Sequence, residues 1–163
     1  MTVVFGGLDT SGLGVVENRP GCAQHYIYMK KYTPDTYPRQ KWPNFAYEEL
    51  CCSHTGELDI DEAFMTKVQN LRDYLQEPLI ITSAYRSPTH PVELAKPGNT
   101  IGSHVQGCAV DIQCMGRKAH KILTGAVVLG FTGIGVSQSG DYDKRFLHLD
   151  TMKSESRPTI WSY

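Results

Sequence analysis

Gly102-Ser103-His104-Val105-Gln106-Gly107-Cys108-Ala109-Val110-Asp111 sets an imidazole and a carboxylate seven residues apart, with a glycine between them. A second imidazole follows in Phe146-Leu147-His148-Leu149-Asp150. Two His and one Asp can hold a zinc ion on three sides and leave a fourth position open. That open position separates a catalytic zinc site from a closed structural one. Zinc takes nitrogen and oxygen ligands at roughly 2.0 to 2.2 Å, so His104, Asp111 and His148 would have to converge from separate elements. Gly107 permits a sharp return between the first two. Either histidine alone reads as a hydrogen-bonded, partly buried residue. Only the combination points to a metal.

Working outward, Ala109 to Gln113 reads as a strand whose alternation puts Ala109, Asp111 and Gln113 on one face and Val110 and Ile112 on the other. Pro88, Pro91, Pro97, Gly98 and Gly102 mark a long loop before it, of the kind that often carries binding or lid segments. Leu79-Ile80-Ile81-Thr82-Ser83 predicts a short buried strand. Phe64, Val68, Leu71 and Leu75 recur at helical spacing. They predict an amphipathic helix of about four turns that starts at the acidic Asp59-Ile60-Asp61-Glu62 and ends before Pro78. Asn44 is placed to cap a short helix from Phe45 to Cys51. Downstream, a helix from Arg117 to Leu129 stops at Gly130. Thr132 to Ser137 and Arg145 to Thr151 then pair antiparallel, with Phe146, His148 and Asp150 facing one way and Leu147 and Leu149 the other. The tail, with Pro158, Ile160 and Trp161, is an edge-strand candidate. The expectation is an α+β fold, a small antiparallel sheet with flanking helices. Residues 45–163 form the domain, and residues 1–44 an N-terminal extension packed on it. Within that extension, His25 to Met29 suggests a strand, and the tyrosines interleaved with Lys30, Lys31, Arg39 and Lys41 suggest a solvated arm.

A chain of 163 residues suits one domain with a real core. Its formal net charge of -1 gives no pull toward nucleic acid or anionic lipid. No apolar run approaches the roughly 20 residues of a membrane span. The start, Met1-Thr2-Val3-Val4-Phe5-Gly6-Gly7, lacks the basic and apolar regions of a secretory signal, so synthesis in a cytoplasm is expected. Cys22, Cys51, Cys52, Cys108 and Cys114 are an odd set without zinc-finger spacing and read as reduced thiols. Oligomeric state leaves no mark in the sequence.

Ser103-His104-x-x-Gly107-x-Ala109-x-Asp111 followed by His148-x-Asp150 resembles the zinc D-alanyl-D-alanine carboxypeptidases and L-alanyl-D-glutamate endopeptidases. Their zinc-binding core is shared with the signalling domain of hedgehog proteins. Thr82-Ser83-Ala84-Tyr85-Arg86-Ser87-Pro88 is similar to that family's arginine-bearing turn, and Gly130-Phe131-x-Gly133-Ile134-Gly135-Val136 to the stretch before its last strand. The likeness runs from about Phe45 to Thr151. It implies a zinc metallopeptidase acting on peptidoglycan stem peptides, with His104, Asp111 and His148 as metal ligands. Arg86 would meet a substrate carboxylate or carbonyl, a task suited to a forked, permanent cation. Ser103 and Gln106 would line the cleft. A phage lytic or virion-associated enzyme would suit such a chain, as would a cellular enzyme exported by a partner.

A zinc peptidase needs a carboxylate to take a proton from water and pass it to the leaving amine. Many relatives place an acid or a histidine three positions before the last ligand. Here that position is Arg145, which cannot serve as a base near neutrality. Asp150, on the same strand face as His148, is the first candidate base, and orienting a ligand histidine is its alternative role. Asp143 and Glu93 come second. The departure at Arg145 keeps a competing reading open, a zinc-containing structural or binding module without catalysis.

Overall fold

Alternation in two neighbouring strands divides the domain into a core side and a site side. Val110, Ile112, Leu147 and Leu149 are buried in one hydrophobic cluster with Phe64, Val68, Leu71, Ile122 and Ala126. Asp111, His148 and Asp150, one position out of phase, fall on the opposite face. The structure, a computed structural model, describes residues 29–97 and 101–163. In chain order it contains β1 (Met29–Tyr32), α1 (Tyr47–Leu50), β2 (Leu58–Asp61), α2 (Glu62–Leu75), β3 (Ile80–Ser83), α3 (Pro91–Leu94), β4 (Ala109–Gln113), α4 (Gly116–Val128), β5 (Gly133–Ser137), β6 (Phe146–Asp150) and β7 (Thr159–Ser162). β1 and β2 form a two-stranded antiparallel sheet; the other five strands form a second sheet in the order β3-β4-β6-β5-β7. All its pairings are antiparallel except β5 with β7, which run parallel. No helix among the described residues is long and apolar enough to cross a membrane.

The α2 helix follows the predicted pattern. Asp61 ends β2 and caps the helix, its Oδ1 accepting from the Phe64 N–H at 2.9 Å, a contact worth about 1 kcal/mol. Phe64, Val68 and Leu71 are buried on one stripe. The helix closes on Gln76 in the left-handed conformation, just before Pro78.

Three readings change. Asn44 caps nothing: its Oδ1 accepts from Gln69 Nε2 at 2.6 Å. The cap of α1 falls two residues later at Ala46, whose N–H is taken by Glu49 at 2.8 Å. β3 is an edge strand rather than a buried one, with Ile80 51% exposed; a β-branched run does not reveal whether a second neighbour will pair with it. Finally, residues 29–44 are built into the core instead of lying over it as a solvated arm. Tyr32, Tyr37 and Trp42 are buried, with ring centroids 5.8 to 6.1 Å apart, spacings at which aromatic pairs attract. The interleaved lysines reach solvent from the same backbone. The expected strand from His25 lies outside the described residues up to Tyr28.

Glu62 ties this aromatic layer to α2. Its carboxylate takes hydrogen bonds from Lys41 and from the Tyr32 hydroxyl. The Lys41 contact first, then Tyr32, hold it at about 2 against the opposing effect of burial. A folded value below the ordinary 4.5 means this stabilisation is complete above about pH 4.5 and is lost as pH falls toward 2. Thermal melts across that window should show a shallower loss of Tm for Glu62→Gln than for the native chain. Parallel curves would show that Glu62 is not coupled to folding.

Candidate metal centre

The ligand-bearing turn is set by one glycine. Gly107 has φ +60°, and a Cβ there would overlap the Asp59 backbone carbonyl. Its own carbonyl accepts from the Asp61 N–H at 3.0 Å, and its N–H donates to His104 O at 3.1 Å. The turn thus carries the chain from His104 into β4 while seated on β2. Asp111 then pairs directly with His148 across β4 and β6. Two elements and one turn bring the three side chains together.

Their tautomers follow from what stands behind them. His104 Nδ1 lies 2.6 Å from the Ala84 carbonyl, which can only accept, so Nδ1 carries the proton and Nε2 presents a lone pair. His148 Nε2 lies 3.1 Å from Asp150 Oδ2 and 3.3 Å from Ser103 Oγ. The His148 ring thus stands between two carboxylates, and with a cation at Nδ1 the Asp150 carboxylate holds the remaining proton on Nε2. His104 Nε2 and His148 Nδ1 are 3.2 Å apart, and Asp111 Oδ1 lies 3.3 and 2.9 Å from them. Three lone pairs facing one another at such separations repel unless a cation or a proton sits among them. Bonds of about 2.0 Å in tetrahedral directions put ligand atoms roughly 3.3 Å apart. The donor set therefore fits a zinc-sized ion, and all its ligand atoms lie within 4.8 Å of one another.

Without a cation, protons shared between the imidazoles and the carboxylate take its place. Burial pushes the Asp111 carboxyl up, but hydrogen bonds and charge from His104 and His148 outweigh it and hold it below the carboxylate range. Burial pushes the His148 imidazole down, and Asp111 and Asp150 more than reverse that. Asp111 Oδ2, the oxygen turned from the histidines, takes Arg86 Nη2 at 2.8 Å. Arg86 also donates through Nε to Ser83 Oγ at 2.9 Å and through Nη1 to Glu93 Oε1 at 3.3 Å. Lys96 holds the other Glu93 oxygen at 2.5 Å.

Of the residues singled out in the sequence, His104, Asp111, His148, Asp150, Arg86 and Ser103 meet here. Gln106 instead turns its Nε2 to the Ile101 carbonyl at 3.2 Å. Asp150 stands on the Nε2 side of His148, away from Nδ1, with Oδ1 taken by the Met152 N–H at 3.0 Å. Asp143 is exposed on a 3-10 turn, Tyr142–Lys144. Arg145 is pinned to the Gly140 carbonyl and lies over the Tyr142 ring. Sequence reasoning missed the Ala84 carbonyl, since a backbone acceptor has no residue signature. It also missed Arg157, whose Nη2 reaches Asp150 Oδ2 at 2.9 Å from seven residues further on.

The chain belongs to the peptidase M15 family, whose model matches residues 43–150, about two-thirds of the chain. Peptidases of this family are zinc-dependent, and the cluster just described could bind that metal. No curated protein matches the chain.

Zinc should bind the native state preferentially and raise the melting temperature, by about 2.7 kcal/mol of stability at a hundredfold excess over Kd. Because the ligands must shed protons to bind, the gain should shrink as pH is lowered from about 7.5 to about 5.5. His148→Ala should remove it. Superimposable apo and zinc-loaded melts of the native chain would rule the site out.

Proposed function

We propose that this chain is a zinc peptidase hydrolysing peptidoglycan stem peptides, of the D,D-carboxypeptidase or L-alanyl-D-glutamate endopeptidase type. A phage lytic or virion-associated enzyme is the setting we favour for it. The observation that carries this reading is the convergence of two imidazole nitrogens and a carboxylate oxygen, each side chain fixed from behind. Family membership supplies the reaction class.

His104, Asp111 and His148 would hold the ion, through Nε2, Oδ1 and Nδ1. Zinc bound there supplies Lewis-acid polarisation of a carbonyl and acidifies water toward neutral pH. The protein does the rest. Ala84 and Asp150 keep the two imidazole protons on the outward nitrogens, so that the inward ones stay bare. Arg86 locks Asp111 from its second oxygen. Among the described residues three of its five N–H groups are taken, and we assign those left on Nη1 and Nη2 to a substrate carboxylate. Ser103 stands beside His148 at the rim of the site, and Gln106 borders the same turn.

Proton transfer needs a carboxylate facing the reacting water, and Asp150 faces the back of His148. We therefore assign Asp150 as a positioning residue rather than the base. That leaves Glu93, joined to the site through Arg86, and Asp143 to take and return the proton.

Peptide release from purified cell walls by zinc-loaded protein tests the reading. Native protein should release stem peptides and a chelator should stop it. His148→Ala and Asp111→Ala should lower the rate at least about a hundredfold, since each removes a ligand. Asp150→Asn should cost about 10- to 100-fold, the usual range for a residue behind a ligand. Of Glu93→Gln and Asp143→Asn, the variant that loses kcat while keeping zinc identifies the base. Zinc-loaded protein that releases nothing from several wall types would leave the binding-module reading instead.

A further inference from the structure

The family match ends at residue 150, yet the segment after it reaches back over the site. β7 pairs with β5, so Trp161 stands beside Gly135, which stands beside His148. In the next row Thr159 neighbours Gly133, and Gly133 neighbours Asp150. Both glycines leave room that another residue would fill. A Cβ at Gly135 would come within 2.7 to 2.9 Å of the Tyr163 and Trp161 rings. At Gly133 it would overlap Arg157 Nη1 and both Asp150 oxygens. The gaps in β5 are filled by tail side chains and by Asp150.

We propose that the tail is a working part of the metal centre and that Arg157 is a positioning residue, acting on His148 through Asp150. This rests on the zinc-site reading above. Asp150 is 0% exposed, and a carboxylate so far from water needs a paired cation and satisfied oxygens. Its Oδ1 is fixed by the Met152 N–H, and its Oδ2 is shared by His148 Nε2 and Arg157 Nη2. Arg157 thus sets the rotation of the carboxylate, and with it the direction of the bond that keeps the His148 proton on Nε2. The guanidinium is itself held in place. It is only 17% exposed, and its Cζ lies 5.1 Å from the centre of the Trp161 ring, a distance at which cation and ring attract. The same ring lies 5.4 Å from the His148 ring. Arg157 Nη1 is buried without a hydrogen-bond partner among the described residues. Arg157 and Trp161 clamp His148 and its supporting carboxylate from the β7 side of the sheet.

The test compares zinc affinity of the native chain with Arg157→Gln and Arg157→Lys, by competition against a chromophoric chelator. The absorption spectrum of the cobalt-loaded protein is a second readout, and apo-protein melts are a control for folding. Arg157→Gln should weaken zinc about 10- to 100-fold and change the cobalt spectrum while the apo protein stays folded. Arg157→Lys should recover part of the affinity, because it restores the charge without the planar fork. Native affinity and spectrum in the Gln variant would overturn the proposal while leaving the zinc site standing. If that variant does not fold, the Lys variant decides: weaker zinc with an altered spectrum supports the proposal, and native values overturn it. A native chain that binds no zinc would remove the functional reading and this inference with it.

Discussion

Two imidazole nitrogens and a carboxylate oxygen, lone pair to lone pair, form an arrangement that a folded chain does not reach by default. Left alone they repel unless a proton or a cation comes between them, and protein interiors normally pair each acceptor with a donor. Here the donors lie on the outside of the cluster: the Asp111 oxygen remote from the ligand position meets Arg86, and the imidazole protons meet Ala84 and Asp150. Each outward contact takes away a way for the inward atoms to relax. The cluster is held ready for a cation by everything around it, and the sheet, the Gly107 turn and the two β5 glycines can all be understood as means to that end.

Such a division of labour decides which parts are legible in the sequence. Period-two alternation in Ala109 to Gln113 and Phe146 to Asp150 follows from backbone geometry alone, so residue position is enough to assign Asp111 and His148 to their strand faces. The α2 helix announces itself by the spacing of Phe64, Val68 and Leu71 and by its Asp61 cap. The β5–β6 hairpin and the β7 edge strand are readable for similar reasons. The convergence of His104 with His148 follows from no local rule, since the two are 44 positions apart; the ligand chemistry of the set suggests it and the resemblance strengthens it.

What stays hidden depends on partners rather than patterns. Asn44 looks like a helix cap until Gln69 is seen to compete for its oxygen. The tyrosines near residue 32 look solvent-facing because lysines separate them, although the rings turn inward together. Asp150 shares a strand face with His148, which fits a base and a supporting carboxylate equally well. Only the side of the ring it touches separates the two. Arg157 gives no sign, because its reach depends on the parallel register of β7 beside β5.

The position of β6 between two neighbours has a further bearing on the molecule. Amides in a doubly paired central strand open to solvent only when most of the domain does, whereas turns open by smaller fluctuations. His148 and Asp111 sit on such strands; His104 sits on a turn. The cluster is therefore anchored unevenly, with two donors tied to global unfolding and one to local breathing.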